Sequence, residues 1–121
     1  MKAFLTIPEI GDLYIGETFE WFDGPKLFSL TKKEKNNPLY IAYWIGDKED
    51  REVWMIIPVN IKRVNDYKSN KIDLYYFLNI HNEKNILRFD FIYGSINELN
   101  IMNIEEIKSI ALPKKGLMHK R

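Results

Sequence analysis

Two runs, LYIAYWI at residues 39–45 and VWMIIPV at residues 53–59, constrain the fold of this chain more than any other feature. Both are dense in β-branched and aromatic residues and flank the polar stretch GDKEDRE, which predicts two antiparallel strands joined by a polar loop. By period-two alternation Leu39, Ile41, Tyr43 and Ile45 share one face of the first strand, and Tyr40, Ala42 and Trp44 share the other. In the second strand Val53, Met55 and Ile57 oppose Trp54 and Ile56. Both faces are therefore apolar. Strands of this kind are covered on both sides, or sealed by helices on one side and by a partner on the other.

Two further strands precede this pair. In ETFEWF, residues 17–22, Phe19 and Trp21 alternate with Thr18 and Glu20. Asp23-Gly24-Pro25 then combines an Asx acceptor, a residue free to take positive φ and a fixed φ, which forces a turn before KLFSL. The polar KKEKNNP stretch separates KLFSLT from LYIAYWI, and its Asn-Asn-Pro ending disfavours helix there. Four sequential antiparallel strands are predicted over residues 17–59.

Pro58 ends the fourth strand, and Asn60 is a candidate N-cap for IKRVNDYK, where Ile61, Val64 and Tyr67 or Lys68 follow helical spacing. Ser69-Asn70 breaks that helix, and Asp73 can cap a second turn in which Leu74, Phe77 and Leu78 fall on one face. Further on, ILRFDFIYG sets Leu87, Phe89, Phe91 and Tyr93 against Arg88 and Asp90, a single-face strand. INELNIMNI and IKSIALP suggest one more strand followed by a short helix. The expected fold class is α+β, an antiparallel meander of five to six strands with short helices on one face. Residues 1–113 form the single domain, and the basic residues 114–121, KKGLMHKR, are a flexible tail.

A chain of 121 residues is long enough to bury a core without metal or disulfide help. The 45% apolar content supplies that core, and no stretch approaches the length of a spanning helix. The apolar run in MKAFLTIPEIGD is too short for a signal peptide, and there is no cysteine. Together these predict a cytoplasmic protein with no membrane association. Richness in Ile, Lys and Asn suggests an AT-rich bacterial or phage genome.

The run from Gly16 to Leu78 resembles a family of small bacterial domains of unknown function. The resemblance is carried by the aromatic pair before DGP, the Leu-Phe-Ser after it, the tryptophan preceding a hydrophobic Pro-Val, and the helical segment ending KIDLYYFLN. It covers about half the chain, and ALPKKG resembles the family's end. It implies the fold and a place among bacterial and phage accessory genes. It carries no catalytic residue across.

Charge and composition narrow the chemistry. Residues 1–60 hold seven Lys/Arg against ten Asp/Glu. In the second half the excess of positive charge equals Lys114, Lys115, Lys120 and Arg121 of the tail. The gathered basic face that a phosphate backbone requires is not visible. The acidic group Asp47, Glu49, Asp50 and Glu52 has oxygens suited to hard cations, but its spacing is not that of an EF-hand, and a solvated hairpin tip is the simpler reading. Neither GxxxxGK[ST] nor GxGxxG occurs.

Only His81 and His119 could serve as a neutral-pH general base. A triad would combine His81 with Ser69 or Ser95 and Asp90, and nothing around them resembles a nucleophile elbow. Glu20 and Glu52 are one of many conceivable carboxylate pairs. No catalytic, cofactor or metal residue is assigned.

The aromatic residues carry more information. Trp21, Tyr40, Trp44 and Trp54 fall on the sheet face opposite Ile41, Tyr43, Met55 and Ile57. They form either a core beneath the helices of residues 60–79 or an interface or ligand-stacking platform. The expectation is a non-enzymatic binding module for another protein, with these aromatics as anchors and Asp47, Glu49 and Asp50 as an electrostatic rim. The competing expectation is a small nucleotide or nucleic-acid binding or processing protein, with Lys62, Arg63 and Arg88 on phosphates.

Overall fold

The computed structural model describes residues 3–21, 24–33, 37–48, 51–78, 86–92 and 95–101. Seven strands follow one another in a single antiparallel meander: β1 (Leu5–Ile7), β2 (Gly11–Trp21), β3 (Pro25–Thr31), β4 (Tyr40–Lys48), β5 (Arg51–Pro58), β6 (Leu87–Ile92) and β7 (Ser95–Ile101). Helices α1 (Ile61–Lys68) and α2 (Leu74–Leu78) fill the connection from β5 to β6. The α+β meander with short helices is as the sequence predicts, with more strands than expected. The added strand is β1, whose three residues are too few to show a period. The strand expected at residue 17 also begins earlier, at Gly11.

The polar stretch GDKEDRE is not a seven-residue loop. The β4–β5 ladder continues through Gly46↔Val53, Asp47↔Glu52 and Lys48↔Arg51. Ladder hydrogen bonds run between backbone groups and are indifferent to side-chain charge, so polar residues extend a hairpin beyond the covered part of the sheet. Leu39 also departs from its expected face. It precedes β4 and packs with the tryptophan-side cluster, not with Ile41. The short helix expected near the C-terminus, Tyr93 and the tail 114–121 lie outside the described residues.

Both helices seal the face carrying Ile41, Met55 and Ile57. Asn60, in extended conformation, accepts the Arg63 backbone N–H through Oδ1 at 2.8 Å and caps α1. Asp73 Oδ1 accepts the Tyr76 N–H at 2.9 Å and caps α2. The apolar positions Val64 and Tyr67 of α1, and Leu74, Phe77 and Leu78 of α2, are buried. Tyr67 stacks on Phe77 at 4.1 Å, and Phe19 of β2 meets both rings edge-on at 5.8 and 5.6 Å. These three rings tie the sheet to both helices. Edge-to-face and offset contacts of this kind contribute about 0.5–1.5 kcal/mol each beyond the buried area.

The opposite face is closed by the chain's own N-terminal segment. Residues of β2 that pair with β1 precede those that pair with β3, so β2 bends from one ladder into the next. Leu5, Ile7 and Leu13 thereby join Phe28, Ala42, Trp54, Ile56 and Phe89 in one buried cluster. Phe4 stands edge-on over Phe28, Trp54 and Phe89 at 4.8, 5.6 and 5.6 Å. Among the described residues no helix is long and apolar enough to cross a membrane.

Candidate functional site

The aromatic residues do not form one platform. Trp54 is a core residue, 3% exposed, with its ring parallel to that of Phe89 at 6.2 Å and tilted on Phe28 at 5.4 Å. Tyr40 is half-buried at the far end of β4, paired with Leu30 and Pro58, and burial pushes its phenol up. Trp21 lies at the opposite extreme, 72% exposed beside Pro25 after successive register shifts in β2, and belongs to neither core cluster. The cover over Trp54 is Phe4 and β1, whereas the sequence reading of a core placed these aromatics beneath the helices. Alternation could not decide this, because both sheet faces are apolar.

The outer end of the β4–β5 hairpin does gather functional groups. Trp44 and Trp54 are direct cross-strand partners. The Trp44 indole N–H donates to Asp47 Oδ1 at 3.0 Å, and the Trp54 indole N–H donates to Glu52 Oε2 at 3.1 Å. In a regular strand residues three apart point to opposite faces. A register shift between Trp44 and Gly46 reverses that parity, with Gly46 at φ +143°, a conformation that a side chain would strain. The bulge therefore delivers Asp47 to the side of Trp44.

Asp47 and Glu52 are themselves cross-strand partners. Like charges directly opposite each other are destabilising, and the two indole donors offset that repulsion. The ammonium of Lys26, from β3, sits 4.8 Å from the centre of the Trp44 ring. The Trp44 ring thus already holds one cation on its face at this end of the sheet. Glu49 and Asp50, the remaining rim residues expected from sequence, lie outside the described residues. Lys26 and the role of Glu52 were not legible beforehand, since both depend on strand register.

Among the described residues the other constellations do not come together. Ser69 caps the end of α1, its hydroxyl donating to the Asn65 carbonyl at 2.8 Å. Asp90, 5% exposed, accepts from Arg51 at 3.3 Å and Arg88 at 3.2 Å. His81 and His119 lie outside the described residues. Glu20 lies on the helix side, where burial first and its negative charge second push the phenols of Tyr43 and Tyr67 up. Glu52 lies on the tryptophan side, so this carboxylate pair does not converge. Lys62 pairs with Asp66 at 2.9 Å, Arg63 donates to the Pro58 carbonyl, and Arg88 is on another element altogether.

A seven-strand meander closed by helices on one face and by its own first strand on the other defines, over the described residues, a small α+β domain with Trp44, Asp47 and Glu52 gathered along the outer β4–β5 ladder. Residues 1–120 match the model of DUF6575, a family of unknown function, and the chain belongs to that family. Neither curated proteins nor solved structures include a match to it.

Proposed function

We propose that this chain is a non-enzymatic binding module that takes a protein partner at the outer end of the β4–β5 hairpin. The carrying observation is the Trp44 site, where one indole holds an ammonium on its face and a carboxylate on its N–H. A ring and two carboxylates suit a lysine or arginine side chain, which gains a cation–π contact and a charge-assisted hydrogen bond together. The partner therefore presents basic residues to Trp44, Asp47 and Glu52, with Glu49 and Asp50 as the adjoining rim. Trp54 anchors the patch from within, and exposed Trp21 and half-buried Tyr40 are separate, weaker candidates for contact.

The setting belongs to the same proposal: a cytoplasmic bacterial or phage accessory system, in defence or counter-defence. It draws support from the resemblance and the Ile-, Lys- and Asn-rich coding. The test is affinity capture from the native host with the wild-type chain and with a variant carrying Asp47→Lys, Glu49→Lys and Asp50→Lys. The melting temperature should stay nearly unchanged while the captured partner is lost. Equal capture by both chains contradicts the proposal.

The competing nucleotide or nucleic-acid reading draws on the same aromatic excess. It has less support, because Lys62, Arg63 and Arg88 are engaged with Asp66, the Pro58 carbonyl and Asp90. Thermal-shift screening against nucleotides and short oligonucleotides tests it, since a ligand specific for the folded state raises apparent stability.

A further inference from the structure

On the helix side of the sheet, away from Trp44, a cavity of about 270 Å³ lies between α1 and the bulged stretch of β2 and β3. Small residues create it. Between Ile15 and Thr18, β2 carries an extra residue relative to β3, and Gly16 and Ser29 meet at that point. A Cβ on Gly16 would come within 2.7 Å of Ser29 Oγ and 3.0 Å of Thr31 Cγ2. Elsewhere this face is filled by Leu27, Ile41, Met55 and Ile57, and here α1 stands over glycine, serine and threonine.

The lining is chemically divided. Ser29, 4% exposed, accepts the Glu17 backbone N–H at 2.9 Å, which leaves its own hydroxyl proton to donate. Pro38, Ile61 and Val64 supply an apolar wall. At the rim Lys68 pairs with Glu17 at 2.9 Å, the two side chains 41% and 48% exposed. A pair this solvated contributes about 0–1 kcal/mol, so a ligand separates it at little cost.

Charge balance then selects the ligand. A simple anion drawn to Lys68 would be repelled by Glu17, and a simple cation drawn to Glu17 would be repelled by Lys68. A zwitterion replaces the existing pair with one contact to each. The volume lies just below the roughly 300–1,000 Å³ of sites for drug-sized molecules, which suits a single small metabolite.

We propose that this cleft binds a free α-amino acid with a small aliphatic side chain. Its carboxylate lies on Lys68, its ammonium on Glu17, and its side chain against Pro38, Ile61 and Val64. This proposal is independent of the protein-partner reading, which concerns the opposite face.

The experiment is a ¹⁵N-resolved NMR titration of the full chain with L-valine, alongside isobutyrate and isobutylamine as singly charged analogues. L-Valine should give saturable shifts centred on Glu17, Ser29 and Lys68 and leave the Trp44 indole signal in place. Each analogue, and L-valine against Glu17→Gln or Lys68→Met, should bind about tenfold more weakly or worse, a loss of at least about 1.4 kcal/mol. Both substitutions are at partly exposed positions, and retained spectra confirm the fold. No saturable shift at millimolar L-valine, shifts centred elsewhere, or analogues binding as well as L-valine would each overturn the proposal.

Discussion

Replacing Gly16 with alanine probes a close approach between β2 and β3. The new methyl group would stand 2.7 Å from Ser29 Oγ and 3.0 Å from Thr31 Cγ2, both inside ordinary contact distance. Ser29 could rotate away only by surrendering the Glu17 N–H it now accepts, which leaves a partly buried donor short of an acceptor. Overpacking of this kind costs about 1–3 kcal/mol, and the reduced freedom of the unfolded chain returns about 0.4–1. A net loss of about 1–2 kcal/mol is expected. At roughly 4 °C per kcal/mol for a domain of this size, the melting temperature should fall by about 4–8 °C.

The reasoning is sharpened by a double-mutant cycle with Ser29→Ala, measured by urea denaturation. Ser29→Ala alone should cost about 1 kcal/mol for the lost hydrogen bond. In that background Gly16→Ala meets only Thr31, so its cost should shrink and the cycle should show a coupling of about 1 kcal/mol. If Gly16→Ala costs the same with and without the serine hydroxyl, the close approach is not what excludes a side chain at residue 16.

Two further outcomes follow from the buried polar groups. The phenols of Tyr40, Tyr43 and Tyr67 are all raised by burial, so they stay neutral in the fold after the unfolded chain has begun to ionise near its ordinary value of 10.0. Their stabilising contribution is therefore complete below pH about 10 and is lost as the pH rises beyond it, most of it from Tyr67, the one fully buried phenol of the three, at up to about 1.4 kcal/mol per pH unit. Tyr67→Phe, which keeps the stack on Phe77, should make that alkaline decline shallower in pH-dependent urea melts, and an unchanged slope would contradict the assignment. Asp90→Asn takes the carboxylate away from Arg51 and Arg88, whose side chains are 32% and 33% exposed. Solvent screening brings the loss below the about 3–5 kcal/mol of a fully buried pair, to about 1–3 kcal/mol by denaturant midpoint, and a change under about 0.5 would refute a structural role.

Local chemistry proved legible in the sequence, and long-range register did not. The Asn60 and Asp73 caps form as predicted because a cap needs only a short polar side chain and the backbone a few residues ahead. Strand faces were legible for Ile41, Met55 and Ile57 against Ala42, Trp54 and Ile56, since alternation follows directly from the pleat. Which face the helices cover was not, because both are equally apolar. The β2 and β4 bulges were hidden for a related reason. Gly16 and Gly46 resemble ordinary turn glycines until the partner strand is known, and only the bulge at Gly46 explains why Asp47 reaches Trp44. Phe4 belongs to a segment with no readable period, and its contacts with Trp54 and Phe89 span most of the domain.

The proposed partner site rests on how the tryptophan face is closed. If Phe4 and β1 cover Trp54, what remains accessible is the hairpin end with Trp44, Asp47 and Glu52. Nuclear Overhauser contacts from the Phe4 ring address this directly. They should reach Trp54, Phe28 and Phe89 while Tyr67 and Phe77 show contacts only to the Ile57 side. Phe4 contacts to Tyr67 or Phe77, or none to Trp54, would contradict the arrangement.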